Sequence, residues 1–99
     1  MAIDYTLTLR DDIELTPGMK EYMDKRVVKL DRYSHHINAV EIKLARQRER
    51  YIGEIIVDVK YELLKAEYEN KDFYELVNGL IDAIKGQLKK YEEKLKRKK

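Results

Sequence analysis

The chain has 99 residues, of which 43% are hydrophobic and 40% charged, and its formal net charge at pH 7 is +2. This composition is typical of one soluble folded domain, expected over residues 1–99, and the absence of cysteine excludes disulfides and thiolate metal sites. No apolar run reaches the about 20 residues that a membrane-spanning helix needs, and the N-terminus lacks a signal-peptide pattern, so we expect a cytoplasmic protein with no membrane partner.

The first two predicted elements are a strand and a helix. Apolar and polar residues alternate from Ile3 to Arg10, as in a strand with one buried face. Thr16 and Pro17 suit the N-cap and first turn of a helix that we expect to run to about Ser34. The apolar side of this helix consists of Met19, Tyr22, Met23, Val27, Leu30 and Tyr33.

Basic residues accompany this helix. Lys25, Lys29 and Arg32 line one flank, and Arg26 lies near the edge of the apolar side. Charged rows on helices are usually solvated surface, so this row alone favours no binding partner.

The middle of the chain predicts three more strands. The second runs from Asn38 to Ala45, and the third begins at Gly53 and alternates to Tyr61. A tight connection between Lys60 and Leu63 should lead to the fourth strand. The residues expected to point inward are Val40, Ile42 and Leu44, then Ile55, Val57, Val59 and Tyr61, then Leu64, Ala66 and Tyr68. Arg46, Arg48 and Arg50 lie either on one strand face or at a hairpin tip.

The last third predicts one long amphipathic helix from Asp72 to Lys99. Asp72 should cap it, with Glu75 reaching back to the cap, and Asn70 suits a positive φ before it. The apolar stripe comprises Phe73, Leu76, Val77, Leu80, Ile81, Ile84, Leu88, Tyr91 and Leu95. The order of elements therefore predicts an α+β, β-α-β-β-β-α two-layer fold, with a four-stranded sheet and both helices on one face.

No catalytic or metal-binding motif is present, so we expect neither an enzyme nor a small-molecule substrate. His35 and His36 are adjacent and point apart on regular backbone, which makes them a poor metal chelate. The role that we expect for them is a charge near a helix C-terminus. Most tyrosines, including Tyr5, Tyr22, Tyr33, Tyr74 and Tyr91, fall on core-facing positions.

The end of the last helix is strongly basic. Residues 85–99 contain eight Lys or Arg and two Glu, a net charge of +6. Lys85, Lys89 and Lys96 form a row away from the predicted core, and Lys90, Lys94 and Arg97 form a second row near the core edge. Such rows suit phosphate backbones, but a solubilising tail explains them about equally well.

Three segments carry a family resemblance: IELTPGMKEYMDKRVVKLDRY, INAVEIKL and DFYELVNGLIDAIKGQLKKYEEKLK. In order and spacing they resemble the ribosome hibernation promoting factor and ribosome-associated inhibitor family, as its short form or as the N-terminal domain of its long form. The resemblance implies a fold similar to double-stranded RNA binding domains. It also implies binding to the small ribosomal subunit in the channel for messenger and transfer RNA, which silences idle ribosomes under stress.

The resemblance also implies which residues bind ribosomal RNA. Arg26, Lys29, Lys90, Lys94 and Lys96 match basic positions of the family, whereas Ala83 and Gly86 stand where the family usually has basic residues. With the flanking rows, the expected RNA-binding set is Lys25, Arg26, Lys29, Arg32, Lys85, Lys89, Lys90, Lys94 and Lys96. We expect no cofactor and a monomer off the ribosome. The alternative is a diverged or redesigned structural or protein-interaction domain of the same fold that does not bind ribosomes.

Overall fold

The predicted order of elements is confirmed by a computed structural model, which describes residues 5–10 and 13–97. The expectations for Ile3, Lys98 and Lys99 lie outside these residues. The strands form one sheet in the order β1-β2-β3-β4, with β1 parallel to β2 and the other pairs antiparallel. The elements are β1 (Tyr5–Arg10), α1 (Pro17–Val28), a 3-10 turn (Lys29–Arg32), β2 (Ile37–Gln47), β3 (Arg50–Val59), β4 (Glu62–Asn70) and α2 (Phe73–Arg97).

Helix α1 begins as predicted but ends earlier. The hydroxyl of Thr16 accepts a hydrogen bond from the backbone N–H of Met19 at 3.1 Å, and Pro17 occupies the first helical position. The α-helix ends at Val28, and the predicted extension to Ser34 is replaced by the 3-10 turn. Helix ends often tighten in this way because their last carbonyls have no partner four residues on. The 3-10 turn still places Leu30 in the core.

Both hairpins turn through two residues. Arg48 and Glu49 connect β2 to β3, so Arg46, Arg48 and Arg50 lie around a hairpin tip. Lys60 and Tyr61 connect β3 to β4, and Val59 pairs with Glu62. The predicted inward position of Tyr61 is therefore wrong, because the strand ends at Val59 and the ring is 80% exposed. Arg48 and Tyr61 have φ angles of 58° and 82°.

The core lies between one sheet face and the two helices, as predicted. Val40, Ile42 and Leu44 of β2 are buried, as are the alternating inward residues of β3. Gly53 leaves room for the helix, since a Cβ there would lie 2.7 Å from Cδ1 of Leu80. Burial is less complete near the sheet margins, where Leu9 and Tyr68 are 43% and 44% exposed.

The start of α2 differs from the predicted capping box. A carboxylate oxygen of Asp72 accepts from the N–H of Tyr74 at 2.9 Å, which confirms Asp72 as the cap. The N–H of Asp72 itself donates to the side-chain oxygen of Asn70 at 2.9 Å, in place of Glu75. The expected positive φ at Asn70 is wrong, because among described non-glycine residues only Arg48 and Tyr61 adopt one. The predicted apolar stripe of α2 is buried up to Tyr91, and Leu95 is half-buried.

Candidate nucleic-acid interface

Helices α1 and α2 lie side by side and run in the same direction. The hydroxyl of Tyr22 donates to the amide oxygen of Asn78 at 2.6 Å, near the start of both helices. Farther along, the hydroxyl of Ser34 donates to a carboxylate oxygen of Glu92 at 2.8 Å. Contacts that advance together along both segments define a parallel pair. We call the surface along this contact line, between Tyr22 and Glu92, the helix seam.

Two lysines of α2 lie on the seam over one aromatic ring. The ammonium nitrogens of Lys85 and Lys89 are 5.2 and 5.9 Å from the ring centroid of Tyr33. This distance permits attraction between each cation and the face of the ring. Lys85 of this row is half-buried beside Tyr33, and Lys89 is exposed. Lys96 is exposed on the same side of α2 by helical spacing.

Arg26 projects into the seam from α1. Its side chain is 29% exposed, and its Nη2 lies 3.9 Å from a carboxylate oxygen of Asp82, too far for a hydrogen bond. Its Nε is buried and has no hydrogen-bond partner among the described residues. Lys29, one turn later, is exposed to solvent. The cations at the seam are therefore Arg26 of α1 and Lys85 and Lys89 of α2, and Lys29 of the 3-10 turn is exposed about one turn after Arg26.

Lys25 and Arg32, the other basic residues predicted to bind RNA on this segment, take no part in the seam contacts described above. The ammonium of Lys25 lies 3.1 Å from the carboxylate of Glu21 on the same helix, and its side chain is 70% exposed. Arg32, the last residue of the 3-10 turn, is exposed and makes no ion pair among the described residues. Both residues belong to the outer face of this segment.

The second basic row lies on the opposite flank of α2, toward β4. The side-chain amide of Gln87 donates to the backbone oxygen of Lys65 at 2.6 Å, which places this flank over the sheet edge. Lys94 follows along it, with its ammonium 3.8 Å from a carboxylate oxygen of Glu62. Lys90 and Arg97 are exposed. The two rows of α2 thus face different sides of the molecule, and only the Lys85 row is joined by cations from α1.

A polar cluster closes the distal end of the seam. Glu92 accepts from Ser34, as described above, and its same oxygen lies 2.8 Å from Nδ1 of His36. Burial raises the pKa of Glu92, but the hydrogen bonds from Ser34 and His36 and the charges of His36 and Lys96 outweigh burial and lower it overall. The predicted role of His36 at a helix C-terminus is therefore replaced by a contact with α2.

The tyrosines divide into packed and exposed groups. Tyr91 is buried, and Tyr5, Tyr22 and Tyr33 are half-buried, as their core-facing positions predict. Tyr74 is 41% exposed despite its predicted inward position, although its ring lies 5.0 Å from that of Tyr22. Tyr61 is the most exposed large hydrophobic residue described. Sequence reasoning missed it because no Gly or Asn marks the turn that contains it.

No helix in the ranges 5–10 and 13–97 is long and apolar enough to cross a membrane. Within the same ranges, no group of three or more His, Asp or Glu side chains could hold a metal ion.

Comparison with known proteins gives matches over nearly the whole chain. The family model described as Sigma 54 modulation protein / S30EA ribosomal protein matches residues 6–96. A ribosome hibernation promoting factor from Klebsiella oxytoca is 32% identical over 85 residues, which cover 86% of this chain and 90% of that protein.

Two solved structures have similar folds. The crystal structure of the Thermus thermophilus Protein Y N-terminal domain has a TM-score of 0.79 at 28% identity, covering 92% of this chain and 99% of that one. A ribosomal subunit interface protein from Coxiella burnetii has a TM-score of 0.78 at 22% identity, covering 90% and 97% of the two chains. The second likeness bears on the fold alone.

Proposed function

The chain belongs to the Sigma 54 modulation protein / S30EA ribosomal protein family, and on this basis we propose that it is a ribosome hibernation factor. Its role is then to associate with ribosomes and to regulate translation. The proposed partner within the ribosome is the RNA of the small subunit. The protein would act in the cytoplasm, by binding rather than by catalysis, and would be a monomer when off the ribosome.

The proposed mechanism is steric. Basic side chains of the two helices contact phosphates of ribosomal RNA, while the body of residues 1–99, as a single domain, fills the channel that messenger and transfer RNA would use. Phosphate contacts carry no sequence information, so they set the position and orientation of the domain. Inhibition is then stoichiometric, because each bound molecule blocks one small subunit.

The helix seam is the observation that carries this proposal. It joins Arg26 and Lys29 of one segment to Lys85 and Lys89 of the other, and Asp82 is the only acidic side chain in an ion pair with them in the described structure. The Arg26 side chain is 29% exposed, and its Nη2 lies 3.9 Å from Asp82, beyond hydrogen-bond distance, so it can donate to a ligand. A phosphate oxygen is a strong acceptor for such a donor. The preorganised side chains therefore favour an anionic partner over a merely solubilising role.

The outer residues contribute less in this proposal. Lys90, Lys94 and Lys96 extend the positive surface toward the end of α2, and Lys25 and Arg32 extend it over the outer side of α1. Glu21 and Glu62 partly neutralise Lys25 and Lys94. We expect these residues to act by long-range attraction, which salt screens more strongly than close contact.

Co-sedimentation with small subunits at several salt concentrations tests the proposal. We compare the wild type, Lys85→Glu/Lys89→Glu and Lys90→Glu/Lys94→Glu. The matched control is Lys20→Glu/Lys71→Glu, which makes the same change in net charge at exposed residues away from the seam. We call Lys85→Glu/Lys89→Glu the seam pair. It should weaken binding most, and it should reduce the slope of log affinity against log salt by about 1 for each phosphate that the variant no longer neutralises.

The alternative is a protein-interaction or structural domain of the same fold. It predicts that the wild type is not retained on small subunits at moderate salt. It also predicts that the seam pair and the control are retained on small subunits to the same extent. If the wild type is retained and the seam pair binds more weakly than the control, this alternative is excluded.

A further inference from the structure

The β3–β4 turn carries an aromatic ring that folding does not explain. Tyr61 is 80% exposed and has a φ of 82°, a left-handed conformation that glycine or asparagine adopts at lower cost. Its ring makes none of the aromatic pairs found among the other tyrosines of the described chain. A strained backbone position that exposes a large ring points to a role outside the fold.

The turn is held rigidly against the basic end of α2. The hydroxyl of Tyr91 donates to the backbone oxygen of Lys60 at 2.6 Å. On its other side, the N–H of Lys60 donates to the backbone oxygen of His36 at 3.3 Å. The backbone next to Tyr61 is thus tied to α2 and to the segment before β2, which limits the backbone entropy that is lost when a ligand meets the ring.

Lys60 and Lys94 lie near the exposed ring, together with Glu62, whose carboxylate is 3.8 Å from the Lys94 ammonium. The ammonium of Lys60 lies 5.2 Å from the centroid of the Tyr61 ring. The ring also lines a depression of about 140 Å³ with Glu62, Tyr91, Lys94 and Leu95. Lys90 is exposed on the same flank of α2. A flat apolar surface between lysines is the arrangement with which proteins stack bases and hold the adjoining phosphates.

We propose that Tyr61, with Lys60 and Lys94, forms a stacking site for one unpaired base of single-stranded RNA. The ring provides the stacking surface, and the two ammonium groups attract the phosphates on either side of that base. Because any base has a π-face, the site distinguishes RNA with exposed bases from a phosphate chain but reads little sequence. The biological partner, an unpaired segment of ribosomal RNA, rests on the proposed function. The stacking of a base on Tyr61 does not depend on the proposed function.

A protein partner is the competing occupant, and the position of Leu63 argues against it. Leu63, two residues after Tyr61, is 67% exposed but lies on the uncovered face of the sheet, by the alternation of β4. A protein that bound this corner by apolar contact would be expected to use both side chains. A stacked base needs only the ring.

The test measures the affinity of the whole chain for two synthetic probes by fluorescence anisotropy. One probe is a 12-nucleotide oligoadenylate, and the other is an abasic ribose-phosphate chain of the same length. The variants are Tyr61→Leu, which keeps a non-glycine residue at the same φ, and the neighbouring control Leu63→Ala. Circular dichroism confirms that each variant is folded.

The wild type should prefer oligoadenylate over the abasic chain by about fivefold to a hundredfold. Tyr61→Leu should abolish this preference without changing the salt dependence, and Leu63→Ala should retain it. The proposal is overturned if the wild type shows no preference, if Tyr61→Leu keeps the preference, or if Leu63→Ala loses it equally.

Parallel co-sedimentation with small subunits separates this inference from the proposed function. Binding of the wild type to small subunits without a preference for oligoadenylate overturns the stacking site alone. A preference for oligoadenylate without binding to small subunits supports the stacking site and overturns the ribosomal role.

Discussion

Nδ1 of His36 lies 2.8 Å from a carboxylate oxygen of Glu92, and this contact fastens the start of β2 to the last turns of α2. The same oxygen accepts from the buried hydroxyl of Ser34. One carboxylate therefore closes the distal end of the seam, 56 residues away in sequence from its histidine partner. Its protonation should affect how firmly the two segments are held.

Replacement of Glu92 tests this contact through pH. The pKa of Glu92 is lowered in the folded protein, so the carboxylate stabilises the fold above its unfolded pKa of about 4.3 and loses this effect as pH falls through the lower folded value. Glu92→Gln should cost about 1 kcal/mol near pH 7 and become progressively milder below about pH 4.3. Urea unfolding of both proteins between pH 3 and 7 measures this. An equal cost at every pH would contradict the assignment, and Glu93→Gln at the exposed neighbouring position is the control.

Gly86 lowers the stability of α2 without a visible compensation. A Cβ at this position would meet nothing within 4 Å. Gly86→Ala should therefore stabilise the protein by about 0.5–1 kcal/mol, because alanine has less backbone entropy to lose in a helix. The expected rise in melting temperature is roughly 4 °C. Thermal unfolding followed by circular dichroism measures it, and an unchanged or lower melting temperature would contradict the prediction.

Gly79, two turns earlier, should respond in the opposite way. A Cβ there would overlap the ring of Tyr68, which crosses from β4 over the helix. Gly79→Ala should destabilise the protein by about 1–2 kcal/mol, since displacing the ring outweighs the gain in helix propensity. The same substitution in a Tyr68→Ala background should be stabilising, as at Gly86. The two pairs of variants form a double-mutant cycle, and additive effects would refute the steric explanation.

Tyr33 should influence RNA binding without touching RNA. Its ring lies under the ammonium groups of Lys85 and Lys89 and holds both on the seam. Tyr33→Leu should weaken binding to small subunits by about threefold, the equivalent of one exposed cation–π contact. Tyr33→Phe keeps the ring and should bind as the wild type does. If the two variants bind equally, the ring does not position the lysines.

Much of the fold follows from local patterns. The alternation of Val40, Ile42 and Leu44 and the three-and-four spacing from Phe73 to Tyr91 each specify one buried face, and burial of that face is the main stabilising term. Thr16 and Asp72 mark helix starts because their side chains satisfy free N–H groups. The patterns do not predict the backbone conformations of Tyr61 and Asn70, because turns form there without glycine and tertiary contacts determine the φ angles.

Local patterns along the chain were enough to establish the element order, most core-facing residues and the basic end of α2, and family resemblance added the expected RNA partner. Which cations lie together depended instead on tertiary packing. Periodicity places Lys85 and Lys89 on one side of their helix, but it says nothing about the neighbour that side will meet. The packing of α1 and the following turn against α2 brings Tyr33 to both lysines and Arg26 to Asp82, nearly one turn before Lys85, across more than 50 residues of chain. Contacts between such distant residues depend on how whole elements pack, which no local pattern encodes.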